Sequence, residues 1–130
     1  MPLFVYGTLR TAADTKWSRF LASISHFDGP GRTPGLLFQL GGYPGMVAGS
    51  HHSDAWVIGE VHSLHQPSSA WPVLDAYEGC GPADPRPYTF ERQVVDVLLG
   101  NGQTIRAWAY VYCLATEDKV RIVSGDYLQP

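Results

Sequence analysis

Glu78 is the residue of this sequence whose position most clearly suggests chemistry. It ends the segment 67–78, whose apolar residues recur at helical spacing, and Gly79 directly after it is typical of a helix end. At about 100° per residue, Glu78 falls between Leu74 and Trp71 on the apolar face of that helix. Burial and the negative end of the helix dipole both disfavour an ionised carboxylate, so we predict a raised pKa for Glu78. Such a carboxyl group can accept and return a proton near neutral pH.

The helix pattern leaves a purely structural role for Glu78 equally open. Its carboxylate could accept hydrogen bonds from backbone amides or pair with an arginine such as Arg86 or Arg92. Asp75 lies at the edge of the apolar face, where we expect it to reach water more easily. Cys80 is close enough to be considered as a nucleophile. No histidine is adjacent to it in sequence, however, and we favour a small buried hydrophobic residue.

A second candidate site is the turn that reads YGTL, formed by Tyr6, Gly7, Thr8 and Leu9. It follows an apolar run that predicts the first strand, and its glycine can adopt a positive φ. Successive backbone N–H groups in such a turn can converge on an anion such as a carboxylate. The same residue types are also common in ordinary turns, so a structural turn is the alternative.

The elements that must position these two sites are mostly strands. Strand patterns cover 2–7, 35–40, 45–48, 55–64, 88–99 and 104–112, and helical patterns cover 11–24 and 67–78. The last two strands flank an Asn-Gly turn, which predicts a hairpin. Residues 29–49 are rich in glycine and proline, which predicts a tightly turned, irregular middle with short strands only. Gly59 inside a strand suggests a bulge or the close approach of another backbone or a ligand.

These elements predict an α+β fold, a small barrel-like mixed sheet flanked by two or so short α-helices. The length of 130 residues suits one domain over residues 1–130. Nine basic and twelve acidic residues give a net charge of -3, and no basic cluster suggests a nucleic-acid partner. No apolar run has the length of a membrane span or the form of a signal peptide, so we expect a cytoplasmic protein without a membrane partner.

Metal binding is disfavoured by the spacing of the histidines. His51 and His52 are adjacent, so in an extended chain they point to opposite sides, and no HxxxH or HxH spacing occurs. Glu60 and His62 share one face of their strand, and we expect that face to be solvated. Cys80 and Cys113 could pair only once and are expected to be free thiols.

Together, the motifs YGTL and LDAYEG resemble the gamma-glutamylcyclotransferase-like superfamily, in its small single-domain gamma-glutamylamine cyclotransferase-like branch. Its members carry a YGSL-type turn after the first strand and a catalytic glutamate in an LDxxEG-type segment. The resemblance continues in order through GGYPG (41–45), GEV (59–61), YTFERQVVDV (88–97), AWAYVY (107–112) and SGDY (124–127). Two departures are Thr8, where serine is commoner, and the three residues rather than one between Tyr88 and Arg92.

The resemblance implies a cyclotransferase that converts a small γ-glutamyl substrate into 5-oxoproline and a free amine. Glu78 would be the catalytic base and acid, and the turn Tyr6–Leu9 would bind the substrate α-carboxylate. No metal or organic cofactor is implied. The segment 79–88 is a candidate lid that selects the leaving amine.

The alternative function is a non-catalytic module that binds a small metabolite, with Glu78 holding an ammonium group. The sequence names neither the leaving amine nor the oligomeric state, although a monomer is favoured. Tyr110 and Tyr112 lie on one face of their strand, and we expect both to pack in the core.

Overall fold

The computed structural model describes residues 1–49 and 54–130, which contain two α-helices and seven β-strands. The strands are β1 (Leu3–Val5), β2 (Ser25–Gln39), β3 (Pro44–Ala48), β4 (Trp56–Leu64), β5 (Phe90–Leu99), β6 (Thr104–Tyr112) and β7 (Val120–Arg121). The helices are α1 (Lys16–Ile24) and α2 (Pro67–Glu78), and a short 3-10 turn spans Thr11–Ala13. Neither α-helix in the described ranges is long and apolar enough to cross a membrane.

Five of the strands close into a barrel. Their order is β2, β4, β1, β6, β5, and β5 returns to pair with β2. The pair β1 and β6 is parallel, and the other pairs of the barrel are antiparallel. This mixed barrel with flanking helices confirms the predicted α+β fold class.

Strand β2 contradicts the predicted irregular middle, because it runs without interruption for 15 residues. Its first part pairs with β4 and its second part with β3, so hydrogen bonds to neighbouring strands override the local preference of glycine and proline for turns. Within β2 the register shifts at a bulge between Phe27 and Gly29, where Gly29 has a φ of 129°. The predicted tight turning is present only between β2 and β3, where Gly41 and Gly42 have φ values of 93° and 85°. One continuous strand therefore links the barrel to the small β3 extension.

The predicted hairpin is confirmed. Strands β5 and β6 pair from Phe90 with Tyr112 to Leu98 with Thr104, and Gly102 takes a φ of 85° in the turn between them. The first helix starts later than predicted, because Thr15 and Ser18 form a reciprocal capping box that fixes its N-terminus.

Gly59 allows the backbone of β1 to approach β4 closely, which was one of the two predicted alternatives. A Cβ atom at this position would lie 2.2 Å from the carbonyl oxygen of Val5 on β1. Strands β1 and β4 pair here, with Val5 opposite Glu60. A side chain would therefore push apart two strands of the barrel.

Two apolar clusters stabilise the fold, one inside the barrel and one between the barrel and the helices. Helix α2 contributes Ala70 and Leu74, which are buried, with Trp71 and Tyr77 partly buried beside them. Val73, which the helical spacing of the segment 67–78 also places on its apolar face, is 41% exposed. The fully buried part of the apolar face of α2 is therefore narrower than the spacing predicts, and it consists of Ala70 and Leu74, which are four residues apart.

Candidate active site

A cavity of about 490 Å³ opens where the turn after β1 meets the C-terminus of α2. The turn Tyr6–Leu9 and Glu78 both line it, so the structure brings the two sequence candidates to one place. Aromatic side chains form further parts of the wall, among them Tyr43, Phe90 and Tyr110. The cavity thus combines a carboxyl group, a backbone turn and an aromatic surface.

Glu78 is the last residue of α2, and Gly79 ends the helix in the left-handed conformation with a φ of 78°. Its side chain is partly buried against the cavity, and no residue in the described ranges forms a hydrogen bond or ion pair with its carboxylate. Burial, and then the negative charge of Asp75, raise the pKa of Glu78 to about 7. The carboxyl group is therefore divided between its two protonation states near neutral pH.

Asp75 does not face water as predicted. Its carboxylate accepts two hydrogen bonds from Arg92, at 3.1 Å from Nε and 3.3 Å from Nη2. The guanidinium of Arg92 lies over the rings of Trp71 and Trp108, at 4.2 and 4.9 Å from their centres. A third hydrogen bond to Asp75 comes from the Tyr110 hydroxyl at 2.7 Å. The Asp75 carboxylate is therefore held by three hydrogen bonds, one of them from the cavity-lining residue Tyr110.

This arrangement excludes both arginine partners that the sequence offered for Glu78. Arg92 is bound to Asp75, and Arg86 lies over the ring of Tyr88 at 4.9 Å. Since neither guanidinium forms an ion pair with Glu78, no cation in the described residues holds its carboxylate in the ionised form.

Tyr110 lines the cavity, which the sequence analysis did not predict. The strand pattern placed it with Tyr112 in the core, and both are buried, but Tyr110 also lines the cavity. Burial and the hydrogen bond to Asp75 raise the pKa of its hydroxyl, which therefore stays protonated at neutral pH. Strand alternation predicts which residues share a face of the sheet, but it does not predict which element packs on that face. The folded sheet is therefore needed to show that Tyr110 lies beside the acids of α2.

The turn Tyr6–Leu9 presents unpaired backbone donors to the cavity. The N–H groups of Gly7, Thr8 and Leu9 donate to no acceptor within the described part of the chain. Two of its carbonyl groups are occupied, because Arg10 N–H donates to Gly7 O at 3.0 Å and the Thr15 hydroxyl donates to Thr8 O at 2.6 Å. With these two acceptors used and three donors free, the turn is suited to bind an anion.

Gly7 is required for space and not, as predicted, for a positive φ. It is absent from the glycines with positive φ, whereas a Cβ atom on it would lie 2.6 Å from Cγ of Pro44. The hydroxyl of Thr8 forms a hydrogen bond of 2.9 Å with the Tyr77 hydroxyl, which ties the turn to the last turn of α2. The Tyr6 hydroxyl donates to the main-chain oxygen of Tyr110 at 2.6 Å, so it is part of the barrel wall.

A sequence model of gamma-glutamyl cyclotransferase, AIG2-like proteins matches residues 3–129. The chain belongs to this family. The ytfP protein of Citrobacter rodentium, named as a gamma-glutamylcyclotransferase family protein, is 30% identical over 129 residues, which cover 98% of this chain and 96% of ytfP.

Solved structures agree with this assignment. YkqA from Bacillus subtilis is 26% identical with a TM-score of 0.67, and the match covers 98% of this chain and 40% of YkqA. An AIG2-like protein from Mus musculus has a TM-score of 0.75 at 19% identity, with 97% of this chain and 86% of the mouse protein covered, and so shows the same fold. Family and fold together support an enzyme of the gamma-glutamylcyclotransferase kind.

The environment of Cys80 does not favour a nucleophilic role. Cys80 and Cys113 are free thiols, as predicted. Burial, and then the charge of Asp75, raise the pKa of Cys80 to about 11, so the nucleophilic thiolate is disfavoured at neutral pH. Cys80 lies with Tyr88 in a second, smaller cleft of about 290 Å³. Of the proposed lid 79–88, only Gly79 lines the larger cavity.

The prediction that Glu60 and His62 lie on a solvated face of β4 is wrong. Both residues are buried and hydrogen-bonded to each other at 3.1 Å. In residues 1–49 and 54–130, no group of three or more His, Cys, Asp or Glu side chains could hold a metal ion. His51 and His52 lie outside the described residues.

Proposed function

We propose that this protein cyclises a γ-glutamyl amine or γ-glutamyl peptide, releasing 5-oxoproline and the free amine, with Glu78 as general base and then general acid. The observation that carries the proposal is the unpaired Glu78 carboxyl group, with a pKa of about 7, in the cavity that the free N–H groups of the turn also line. A proton shuttle works best when its pKa lies near the working pH.

The turn supplies the binding energy for the glutamyl part. The N–H groups of Gly7, Thr8 and Leu9 would donate to the substrate α-carboxylate, which replaces the acceptors that the protein itself does not provide. The ring of Tyr43, at the exposed side of the cavity, and the ring of Phe90 offer an apolar surface for the chain of the substrate. A substrate held curled in this way has its amine close to its own γ-carbonyl carbon.

The reaction then needs proton transfers and no redox chemistry. Ionised Glu78 takes a proton from the α-ammonium group, and the free amine attacks the γ-carbonyl carbon to form the ring C–N bond. Protonated Glu78 gives its proton to the departing nitrogen as the original C–N bond breaks. The second proton lost by the ring nitrogen leaves with the product amine, which departs as an ammonium ion.

The experiment is a panel of γ-glutamyl amines, γ-glutamyl dipeptides and glutathione, assayed for 5-oxoproline. At least one compound should be converted, and Glu78→Gln should lower kcat/KM by about 10²- to 10⁴-fold, which is the usual contribution of a general base or acid. Glu117→Gln is the matched control, because Glu117 is exposed and does not line the cavity. Wild-type turnover by the Glu78 variant would refute the proposal.

The same panel tests the non-catalytic alternative. Tight binding of a γ-glutamyl compound by the wild-type protein, with no 5-oxoproline from any member of the panel, would favour a binding module in which Glu78 holds an ammonium group.

A further inference from the structure

Glu60 and His62 form a buried polar pair that the proposed reaction does not use. They are two residues apart on β4 and share one face of the strand, with exposed fractions of 6% and 1%. Neither lines the cavity. Burying an ionisable side chain costs free energy even when it is paired, so a buried Glu-His pair in the barrel wall indicates a specific role for these residues.

Hydrogen bonds hold both ring nitrogens of His62. The Ser25 hydroxyl donates its hydrogen to Leu21 O at 2.6 Å, so it can only accept from His62 Nδ1, which is 3.1 Å away. His62 Nε2 lies 3.1 Å from Oε1 of Glu60, which also accepts the backbone N–H of Thr11. Although burial raises the pKa of Glu60, the hydrogen bonds from His62 and Thr11 outweigh it and lower that pKa below its ordinary value. Both ring nitrogens of His62 are therefore held, one by Ser25 and the other by Glu60.

Charged groups continue from this pair. Oε2 of Glu60 lies 4.0 Å from Nε of Arg10, and Nη1 of Arg10 lies 2.8 Å from the carboxylate of Asp126. His62, Glu60, Arg10 and Asp126 thus form a row in which the guanidinium of Arg10 lies between two carboxylates and the imidazole of His62 lies at one end. We call it the charge row. It joins β4 to the segment after the YGTL turn and to the C-terminal segment of the chain.

The charge row fixes the C-terminal end of the turn that lines the cavity. Thr11 N–H is bound by Glu60, and Arg10 N–H closes the turn on Gly7 O at 3.0 Å. Both anchored residues follow directly after Leu9, so Glu60 fixes the point at which the chain leaves the turn. A bare carboxylate beneath an anion-binding turn would repel the ligand, but the guanidinium of Arg10 offsets the charge of Glu60.

The composition of Ser25, His62 and Glu60 is that of a hydrolase triad, yet the geometry excludes that role. The serine contacts Nδ1 and the acid contacts Nε2, which reverses the usual arrangement, and the serine proton is committed to a backbone oxygen. All three side chains belong to buried residues away from the described cavity, so a substrate has no access to them.

We propose that Glu60 and His62 are positioning residues for a carboxylate ligand, acting through the charge row to hold the N–H groups of the turn Gly7–Leu9 toward the cavity. The inference rests on the proposed function of that turn as the α-carboxylate site. Donors fixed in advance need no reorganisation when the ligand arrives, so their loss weakens binding more than the chemical step.

The test is Glu60→Gln, which keeps the size of the side chain and removes its charge. With the best substrate of the panel, KM should rise about tenfold, while kcat stays within about threefold, because a charge-assisted hydrogen bond to the turn is lost. Binding of 5-oxoproline, followed by the amide NMR signals of the turn, should weaken by about the same factor. Binding of the carboxamide of 5-oxoproline, which lacks the anion, should change less than twofold.

The matched control is Asp14→Asn, also an acid-to-amide change and close to the turn in sequence. The Asp14 side chain is 81% exposed and pairs with exposed Arg19, so neither constant should change. If Glu60→Gln does not fold, Asp126→Asn removes the outer end of the charge row, and a smaller rise in KM, about two- to threefold, should follow.

The outcomes separate this inference from the proposed function. Unchanged KM and 5-oxoproline binding in a folded Glu60→Gln protein, or a loss in kcat alone, would overturn the positioning role while the Glu78 chemistry stands. Binding of 5-oxoproline without turnover of any substrate would overturn the proposed reaction, and the Glu60 comparison would still decide the inference. A wild-type protein that binds no carboxylate would overturn the inference directly.

Discussion

Replacing Glu78 with glutamine should stabilise the fold at high pH and leave it almost unchanged at low pH. The pKa of Glu78 is raised from 4.5 to about 7 in the folded protein, mainly by burial. A gap of about 2.5 in pKa corresponds to about 3 kcal/mol of unfolding free energy at 1.36 kcal/mol for each pH unit. Because the side chain partly faces the cavity, solvent screening reduces this value, and we expect about 1 to 3 kcal/mol.

The sign follows from proton binding. Below about pH 4.5 the carboxyl group is protonated in both states, so it has no effect on stability. Between about pH 4.5 and 7 the folded state keeps the proton that the unfolded chain releases, so the unfolding free energy of the wild type falls as the pH rises. Above about pH 7 both states are ionised and the full destabilisation is present. Glutamine, which does not titrate, removes this loss.

Urea unfolding of both proteins at several values between pH 4.5 and 8.5 measures the effect. The variant should gain stability over the wild type progressively as the pH rises, with equal slopes against urea concentration at each pH. Glu117→Gln controls for the loss of a negative charge at the surface and should change the unfolding free energy by less than about 0.5 kcal/mol throughout. A difference between Glu78→Gln and wild type that does not depend on pH would refute the assigned environment of Glu78, whatever the activity of the protein.

Three further substitutions test the site and its scaffold. Asp75→Asn should shift the rise of kcat/KM with pH below about 7, because the charge of Asp75 helps to raise the pKa of Glu78; an unchanged pH profile would contradict this coupling. Gly7→Ala should raise KM about tenfold, since its Cβ would meet the Pro44 ring at 2.6 Å and displace the turn; steady-state kinetics with an unaltered KM would show that the turn is not the binding element. Gly59→Ala should destabilise the barrel by about 2 kcal/mol, because its Cβ would lie 2.2 Å from a carbonyl oxygen of β1, and a wild-type urea midpoint would disprove the contact.

The parts of the site that depend on neighbours in sequence were predictable. Helix α2 ends at Glu78 with Gly79 as its cap, because both the apolar spacing and the glycine act within one turn of chain. The β5–β6 hairpin follows from alternation around an Asn-Gly turn for the same reason. The raised pKa of Glu78 could be predicted in direction, since burial on the apolar face of a helix is a local property.

The parts that depend on distant neighbours were not predictable. Strand alternation shows that Glu60 and His62 share a face, but only the packed turn and α1 show that this face is covered. In the same way, the position of Asp75 at the edge of an amphipathic helix suggested solvent, whereas Arg92 and Tyr110 reach it from strands 17 and 35 residues further along the chain. Long-range pairing also made β2 continuous through residues that favour turns.

Three acids stand beside the proposed site, and their partners decide which of them can exchange protons. Asp75 accepts hydrogen bonds from Arg92 and Tyr110, and Glu60 accepts them from His62 and the backbone of Thr11. Although burial raises the pKa of Glu60, its hydrogen bonds lower that pKa below the ordinary value. Glu78 has no such partner in the described residues, and burial alone already opposes its charge. The helix and the barrel wall thus hold Asp75 and Glu60 in hydrogen bonds and leave Glu78 without a partner in the described residues, with a pKa near neutral pH. It follows that substitutions of Asp75 and Glu60 should change the pH profile or the binding of substrate, whereas substitution of Glu78 should slow the chemical step itself.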